Sequence, residues 1–291
     1  PINVILQLLP TVAKIIRPGA VVTDVGSTKH SIVEEAQKHF NGDRHFIGGH
    51  PMAGREQGGW ENADSRLFEN AVYVLTPLPN FPPLLLNSVK SFLRVIGAQV
   101  MTLDPEAHDR IVAEVSHLPQ LLAIALTNFI VREGVAPEPR LQLAAGGFRD
   151  MTRLAASPFS LWQDILQSNR ANVRRSLQQF ILTLQNLLDD FDGEAMATRF
   201  QRANEIRQGI PRDNRGFLQP RFDLTVSVPD RLGEIARLAT ALAAEHINIK
   251  DIEALKVREG EGGTLRLVFD SEASRVMAEQ ILEQIGYRRG R

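Results

Sequence analysis

The chain has 291 residues, 43% apolar and 23% charged, with 33 basic against 34 acidic side chains and no cysteine. Those fractions fit two or three globular domains and exclude wholesale disorder, collagen and a coiled-coil rod. A net charge of −1 with scattered Lys and Arg offers no patch to neutralise phosphates, which excludes nucleic acid as an expected partner, and zero cysteines remove disulfides, thiolate zinc sites and thiol nucleophiles.

Residues 4–16 carry helical apolar spacing, and Pro18-Gly19 stops that helix before the β-branched run Ala20 to Asp24. A second amphipathic helix is expected over 28–40 and a short strand from His45 to Gly48, ending in glycines. A third strand, Ala71 to Thr76, leads through the proline-rich turn Pro77 to Pro83 into a helix near 84–96 and a strand near Gln99 to Leu103. Strands separated by crossover helices imply an α/β sheet covered by helices, with ligands at the strands' carboxyl ends. After Asp104-Pro105 the strand signal disappears. Segments 105–132, 138–145, 158–191 and 193–207 read as helices, and the long pattern Leu161 to Phe191 needs a second copy of the chain to bury its apolar face. Gly209 to Pro220 reads as a linker. From Arg221 the order is strand (Phe222 to Val228), helix (Leu232 to Glu245), strand (Ile247 to Val257), strand (Gly263 to Phe269), helix (Glu272 to Gly286) and a last short strand from Tyr287, the βαββαβ order of a ferredoxin-like α+β unit.

No apolar run approaches the ~18 residues of a membrane span and no signal peptide opens the chain, so a cytoplasmic protein with no membrane partner is expected. The chain begins with Pro1 rather than methionine, which predicts processing or further sequence upstream. No metal site is expected, because the seven histidines lack neighbouring carboxylates at ligand spacing.

Three clusters could carry chemistry. Thr23 to Lys29 (TDVGSTK) is a strand turning through glycine into a helix. Gly48 to Gly54 (GGHPMAG), followed by Glu56, sets a histidine among glycines that permit close backbone approach; a tight loop with a solvent-facing histidine is the alternative. Gly146 to Arg153 (GGFRDMTR) places two arginines four apart, able to share a helix face and grip a carboxylate; an exposed ion pair with Asp150 is the alternative. Ser116 to Gln120 (SHLPQ) is a helical stretch interrupted by proline.

In this order, DVGSTK, FIGGHPMAG, SHLP, GGFRDMTR and Trp162 closely resemble the prephenate and arogenate dehydrogenase family of tyrosine biosynthesis. The terminal unit, with Val228 to Gly233 at its first turn and Ile247-Asn248-Ile249 opening its second strand, resembles an ACT domain, a module that binds amino-acid effectors. The resemblance implies residues 1–104 as the carboxyl-terminal part of a Rossmann-like dinucleotide-binding domain and 105–208 as a helical substrate and dimerisation domain. It implies 209–220 as linker and 221–291 as an ACT regulatory domain. It implies an oxidoreductase that decarboxylates prephenate to 4-hydroxyphenylpyruvate with NAD as hydride acceptor, NADP remaining open. The enzyme would be a homodimer under allosteric feedback by tyrosine. His50 would be the general base on the ring hydroxyl and Ser27 its hydrogen-bonding partner. Arg153 would hold a substrate carboxylate, Arg149 would reinforce the positive field and Gly146 would allow close approach. Glu56 would lie at the pocket mouth, while Asp109 and Trp162 line or gate it. Asp24, Gly26 and Ser27 would belong to the cofactor side. Asp230, Gly233, Asn248 and Ile249 would hold the effector.

Two features depart from the family pattern. Gln120 stands where many prephenate-using members have a histidine, which leaves prephenate and arogenate both open. No G-x-G-x-x-G turn occurs, so the chain is expected to start inside the dinucleotide-binding domain and to bind NAD poorly or not at all, which leaves activity of the chain in this form open. Two other classes remain: a β-hydroxyacid dehydrogenase, disfavoured because lysine is absent from Leu103 through Pro220, and a non-catalytic amino-acid sensor in which only the terminal unit works.

Overall fold

A computed structural model describes residues 1–54, 63–131, 138–191, 193–210, 222–258 and 262–289. The chain divides into two compact units, Pro1–Gly216 and Phe217–Arg291.

The first unit opens with α1 (Ile2–Ile15), β1 (Val21–Thr23), α2 (His30–His39), β2 (His45–Pro51), β3 (Val72–Pro77), α3 (Pro83–Val95) and β4 (Gln99–Thr102). The strands form one mixed sheet in the order β1-β2-β3-β4, parallel at both edges and antiparallel between β2 and β3. Alternation along β2 sends Phe46 to one face and Ile47 to the other. Phe46 meets Ile2, Leu9 and Ala13 of α1 and Ile32, Val33 and Ala36 of α2. Ile47, Tyr73 and Leu75 meet Leu93 of α3. Helices therefore cover both faces.

Sequence placed the end of β2 at Gly48, but the strand runs on to Pro51, so His50 sits in the ladder opposite Val74 rather than in a glycine loop. The glycines serve close packing. A Cβ on Gly49 would lie 2.5 Å from the Asp24 carbonyl oxygen, and one on Gly48 would lie 2.2 Å from Thr76 Oγ1. Gly49→Ala is expected to cost about 1–3 kcal/mol as the strands are pushed apart. Urea unfolding checks it, and an unchanged midpoint would contradict this reading.

Helices follow: α4 (Pro105–Val112), a π-helical turn at Ala113–His117, α5 (Leu118–Ile130), α6 (Glu138–Leu143), α7 (Gly146–Thr152), a 3₁₀ turn at Arg153–Ala156, α8 (Phe159–Ser168), α9 (Arg170–Asp189) and α10 (Glu194–Gly209). Asp104 caps α4 through the amides of Glu106 and Ala107, with Pro105 in its first turn, which fixes where the helical part begins. The expected long helix over 158–191 is broken at Asn169. The Asn169 side chain donates to the Asp109 carbonyl oxygen at 2.6 Å and lies 3.3 Å from His117 Nδ1. Instead of a simple kink at Pro119, a π turn carries His117 inward and α5 restarts with Pro119 in its first turn.

The second unit comprises β5 (Phe222–Val228), α11 (Glu234–Ala244), β6 (Asp251–Arg258), β7 (Gly262–Phe269), α12 (Glu272–Gln284) and β8 (Arg288–Arg289). Its sheet has the order β6-β7-β5-β8, every neighbour antiparallel. Leu238 and Leu242 of α11 and Ala278 and Leu282 of α12 pack on Leu224, Val226, Leu265, Leu267 and Phe269. The second strand begins at Asp251 rather than Ile247. His246 adopts a left-handed conformation at φ 58°, turning the chain out of α11 so that Ile247 packs into the core before pairing starts.

Candidate functional site

In the first unit, the carboxyl end of β2 and the residues after β1 meet the helices around a cavity of about 430 Å³. Ser27, His50, Gln120 and Trp162, four residues singled out in the sequence, share its wall with His117 and the segment Pro51 to Gly54. A buried ion pair holds the two strand ends together. The fully buried Lys29 ammonium pairs with Asp24, whose carboxylate also accepts from the amides of Gly26 at 2.8 Å and Gly49 at 3.0 Å. Asp24 thereby orders the residues preceding Ser27 and His50 and faces inward. Burial lowers the Lys29 pKa, opposed by the charge of Asp24.

Behind His50 runs a chain of hydrogen bonds that sequence gave no reason to expect. His50 Nδ1 is 2.8 Å from His108 Nε2, and His108 Nδ1 is 2.7 Å from Asp109 Oδ1. Asp109, 2% exposed, does not line the cavity. Its carboxylate accepts from the amides of Lys29 at 2.7 Å and His30 at 2.9 Å, capping α2 from across the fold. The only sequence signal for His108 was its place beside an aspartate on a capped helix.

Burial, reinforced by His108, Lys29 and His117, pushes the His50 pKa down to about 3. Burial outweighs the attraction of Asp109 and takes His117 down to about 4. Both imidazoles are therefore neutral in the fold at pH 7, and His50 can accept a proton. Between pH 6.5 and 4 the unfolded chain binds protons that the fold refuses, so stability is complete above pH 6.5 and falls as pH falls. The slope is about 1.4 kcal/mol per pH unit for each histidine. Lowering the pH from 7 to 5.5 is expected to remove about 3 kcal/mol, read by urea unfolding. Equal stability at the two values would contradict neutral burial.

His117 meets Trp162 edge-on, ring centroids 5.9 Å apart. Gln120 donates from Nε2 to the Leu154 carbonyl oxygen at 2.9 Å, which fixes the amide and leaves Oε1 as a buried acceptor without a partner among the described residues. Arg149 lies within α7 and Arg153 opens the following 3₁₀ turn. Both are exposed and stand outside the cavity wall, as does Gly146, which has open space around its Cα. Glu56 lies outside the described residues. In the second unit, Asp230 and Gly233 are exposed at the turn between β5 and α11, where Gly233 has φ 85°. Asn248 is exposed and Ile249 half-buried ahead of β6.

A helix-covered α/β sheet whose strand ends present a neutral buried histidine to a cavity roofed by helices defines a small-molecule enzyme of the dinucleotide-fold class. Residues 1–102 match the nucleotide-binding domain of prephenate dehydrogenase and residues 104–202 its dimerisation domain. Prephenate dehydrogenase of Bacillus subtilis is 35% identical over 267 residues, 90% of this chain and 72% of that protein. The crystal structure of Synechocystis arogenate dehydrogenase superposes with a TM-score of 0.65 at 32% identity, covering 72% of this chain and 77% of that one. The structure of A. aeolicus prephenate dehydrogenase in complex with hydroxyphenyl propionate and NAD+ gives 0.65 at 31%, covering 72% and 74%. The chain belongs to the prephenate dehydrogenase family.

The described residues do not fit the pyrophosphate of NAD. Gly26 and Ser27 do line a second cavity, of about 240 Å³, beside the first turn of α1. Its wall carries the Asp164 carboxylate and no basic side chain. The amides of Lys29 and His30 at the start of α2 are spent on Asp109, and those of Gly26 and Gly49 on Asp24, so these four are not offered to a phosphate. Among the described residues no cluster of histidines and carboxylates could hold a metal ion, and no helix is long and apolar enough to cross a membrane.

Proposed function

We propose that the chain oxidatively decarboxylates prephenate to 4-hydroxyphenylpyruvate, the step that yields the aromatic ring in tyrosine synthesis, with His50 as general base. The observation that carries this reading is His50 itself, lining the cavity beside Ser27 with Nδ1 turned inward to His108 and Nε2 without a protein partner among the described residues. Nε2 then takes the proton of the substrate's ring hydroxyl, which Ser27 orients. Aromatisation supplies the driving force, so positioning the ring against His50 and removing one proton is what the protein adds on the substrate side. Trp162 closes the apolar side of the cavity, and the substrate carboxylates fall to Arg153 and Arg149 on the family resemblance alone, since both side chains stand outside the cavity wall. In a binding measurement, 4-hydroxyphenylpyruvate should exceed phenylpyruvate in affinity by about tenfold, one hydrogen bond's worth. Equal affinities would sink the assignment of His50 to the hydroxyl.

Arogenate is the second reading. Gln120 Oε1 is an acceptor lacking a donor among the described residues at the cavity wall, the complement of an ammonium group rather than a keto oxygen. The ratio of kcat/KM for the two substrates decides between them.

NAD is the hydride acceptor of this reading, in preference to NADP, and the chain itself holds it weakly, since the amides of Gly26 and Lys29 are already bonded to carboxylates and the cavity beside Ser27 carries Asp164 and no basic side chain. Calorimetric titration is expected to give millimolar rather than micromolar affinity; micromolar binding would refute this. A homodimer through the helical part is supported by exposed Leu143, Leu188, Phe191 and Phe200. The βαββαβ topology of the second unit supports an ACT domain that takes tyrosine, with Asp230, Gly233, Asn248 and Ile249 as its contacts and 209–220 as linker. Cytoplasmic placement belongs to the same reading.

A further inference from the structure

Three fully or nearly buried polar side chains stand in series behind the cavity: His50 (9% exposed), His108 (0%) and Asp109 (2%). Their directions of donation follow from what each can do. The Asp109 carboxylate is an acceptor, already holding the amides of Lys29 and His30, so the 2.7 Å contact has His108 Nδ1–H donating to it. A neutral imidazole protonated at Nδ1 has a lone pair at Nε2. The 2.8 Å contact between His108 Nε2 and His50 Nδ1 is then satisfied only if His50 Nδ1 carries the proton. That leaves His50 Nε2 as a lone pair on the far side of the ring from His108, while His50 lines the cavity.

We propose that His108 is a positioning residue for His50: the series Asp109–His108–His50 fixes His50 as the Nδ1–H tautomer, so that its Nε2 lone pair is the proton acceptor. The inference rests on the reading of His50 as the base and adds how the protein makes it one. An isolated neutral imidazole can place its proton on either nitrogen, and the wrong choice would meet the substrate hydroxyl with a donor. The two imidazoles stand at 72° to each other, edge to face, so the 2.8 Å contact is a hydrogen bond rather than ring stacking. When Nε2 gains the hydroxyl proton, the positive charge is shared along the Nδ1–H···Nε2 bond towards the Asp109 carboxylate, the one anion of the series. No proton need leave the site during the step, and the bonds along the series already point the right way before substrate arrives.

The same carboxylate anchors the start of α2, two residues after Ser27. One side chain therefore sets both the tautomer of the histidine and the position of the serine that share the cavity. This explains why an aspartate that does not reach the cavity is nonetheless tied to it.

The first experiment needs neither turnover nor cofactor. Long-range proton–nitrogen correlation spectra of the unliganded, histidine-labelled chain at pH 7, with His50 assigned through His50→Asn, should show a protonated Nδ1 and an unprotonated Nε2. A proton on Nε2, or rapid averaging between the two, overturns the proposal. The second experiment compares His108→Phe, which removes the acceptor, with His108→Gln, whose amide oxygen restores one. The Phe variant should lose about 100-fold in kcat with little change in KM, and the Gln variant should recover about tenfold of that loss. A loss confined to KM, or equal kcat in all three proteins, overturns it. If the Phe variant does not fold, the spectrum of the unsubstituted chain still decides. If the unsubstituted chain turns over neither prephenate nor arogenate, the functional reading falls while the spectrum still judges the series.

Discussion

His50→Asn is expected to lower kcat for prephenate by about a thousandfold at high NAD concentration, because a positioned base contributes 10²- to 10⁴-fold and asparagine has no lone pair of comparable basicity at that point. KM should change little, since the rest of the cavity wall that holds the substrate is untouched. The fold should survive, because His50 is neutral and the main-chain pairing of β2 with β3 does not use its side chain. Steady-state kinetics with a thermal melt check both halves. A decrease of less than tenfold would mean that the proton goes elsewhere.

Lys29→Met should produce the largest loss of stability. It removes the cation from a fully buried pair and leaves the Asp24 carboxylate with only the amides of Gly26 and Gly49. An uncompensated buried charge costs about 3–5 kcal/mol, which lowers Tm by about 10 °C in a unit of this size. Adding Asp24→Asn should recover most of that loss, because a neutral pair has no charge to strand. Activity should not return with stability, since the carboxylate also orders the residues before Ser27 and His50. A Lys29→Met protein within about 1 kcal/mol of the parent would show that the pair is not what holds the strand ends.

Much of the architecture was legible because it follows from periodicity. Apolar spacing in 4–16 and 28–40 gave α1 and α2, and Asp104-Pro105 announced the first helix of the helical part. Errors arose where a residue serves a distant neighbour. Gly48 and Gly49 read as the end of a strand, yet they lie inside one because Thr76 and Asp24 crowd them. Asn169 reads as an ordinary helix residue, yet it breaks a helix to reach the Asp109 carbonyl oxygen 60 positions away.

The site divides in the same way. Ser27, His50, Gln120 and Trp162 were found through motif resemblance, and the fold brings all four to one cavity. Asp109 was expected to line or gate that cavity and instead stands behind it, because its carboxylate is consumed by two amides and a histidine. His108 was not singled out at all. Its partner lies 58 residues earlier on a strand, and no local pattern marks a histidine whose role is to orient another.

The most direct test of the central claim is to follow NADH formation and carbon dioxide release together, from prephenate and from arogenate, with the chain at high NAD concentration. The account predicts equal amounts of both products from prephenate, with 4-hydroxyphenylpyruvate formed and both signals lost in His50→Asn. Absence of both products with either substrate, or products undiminished in His50→Asn, would contradict it.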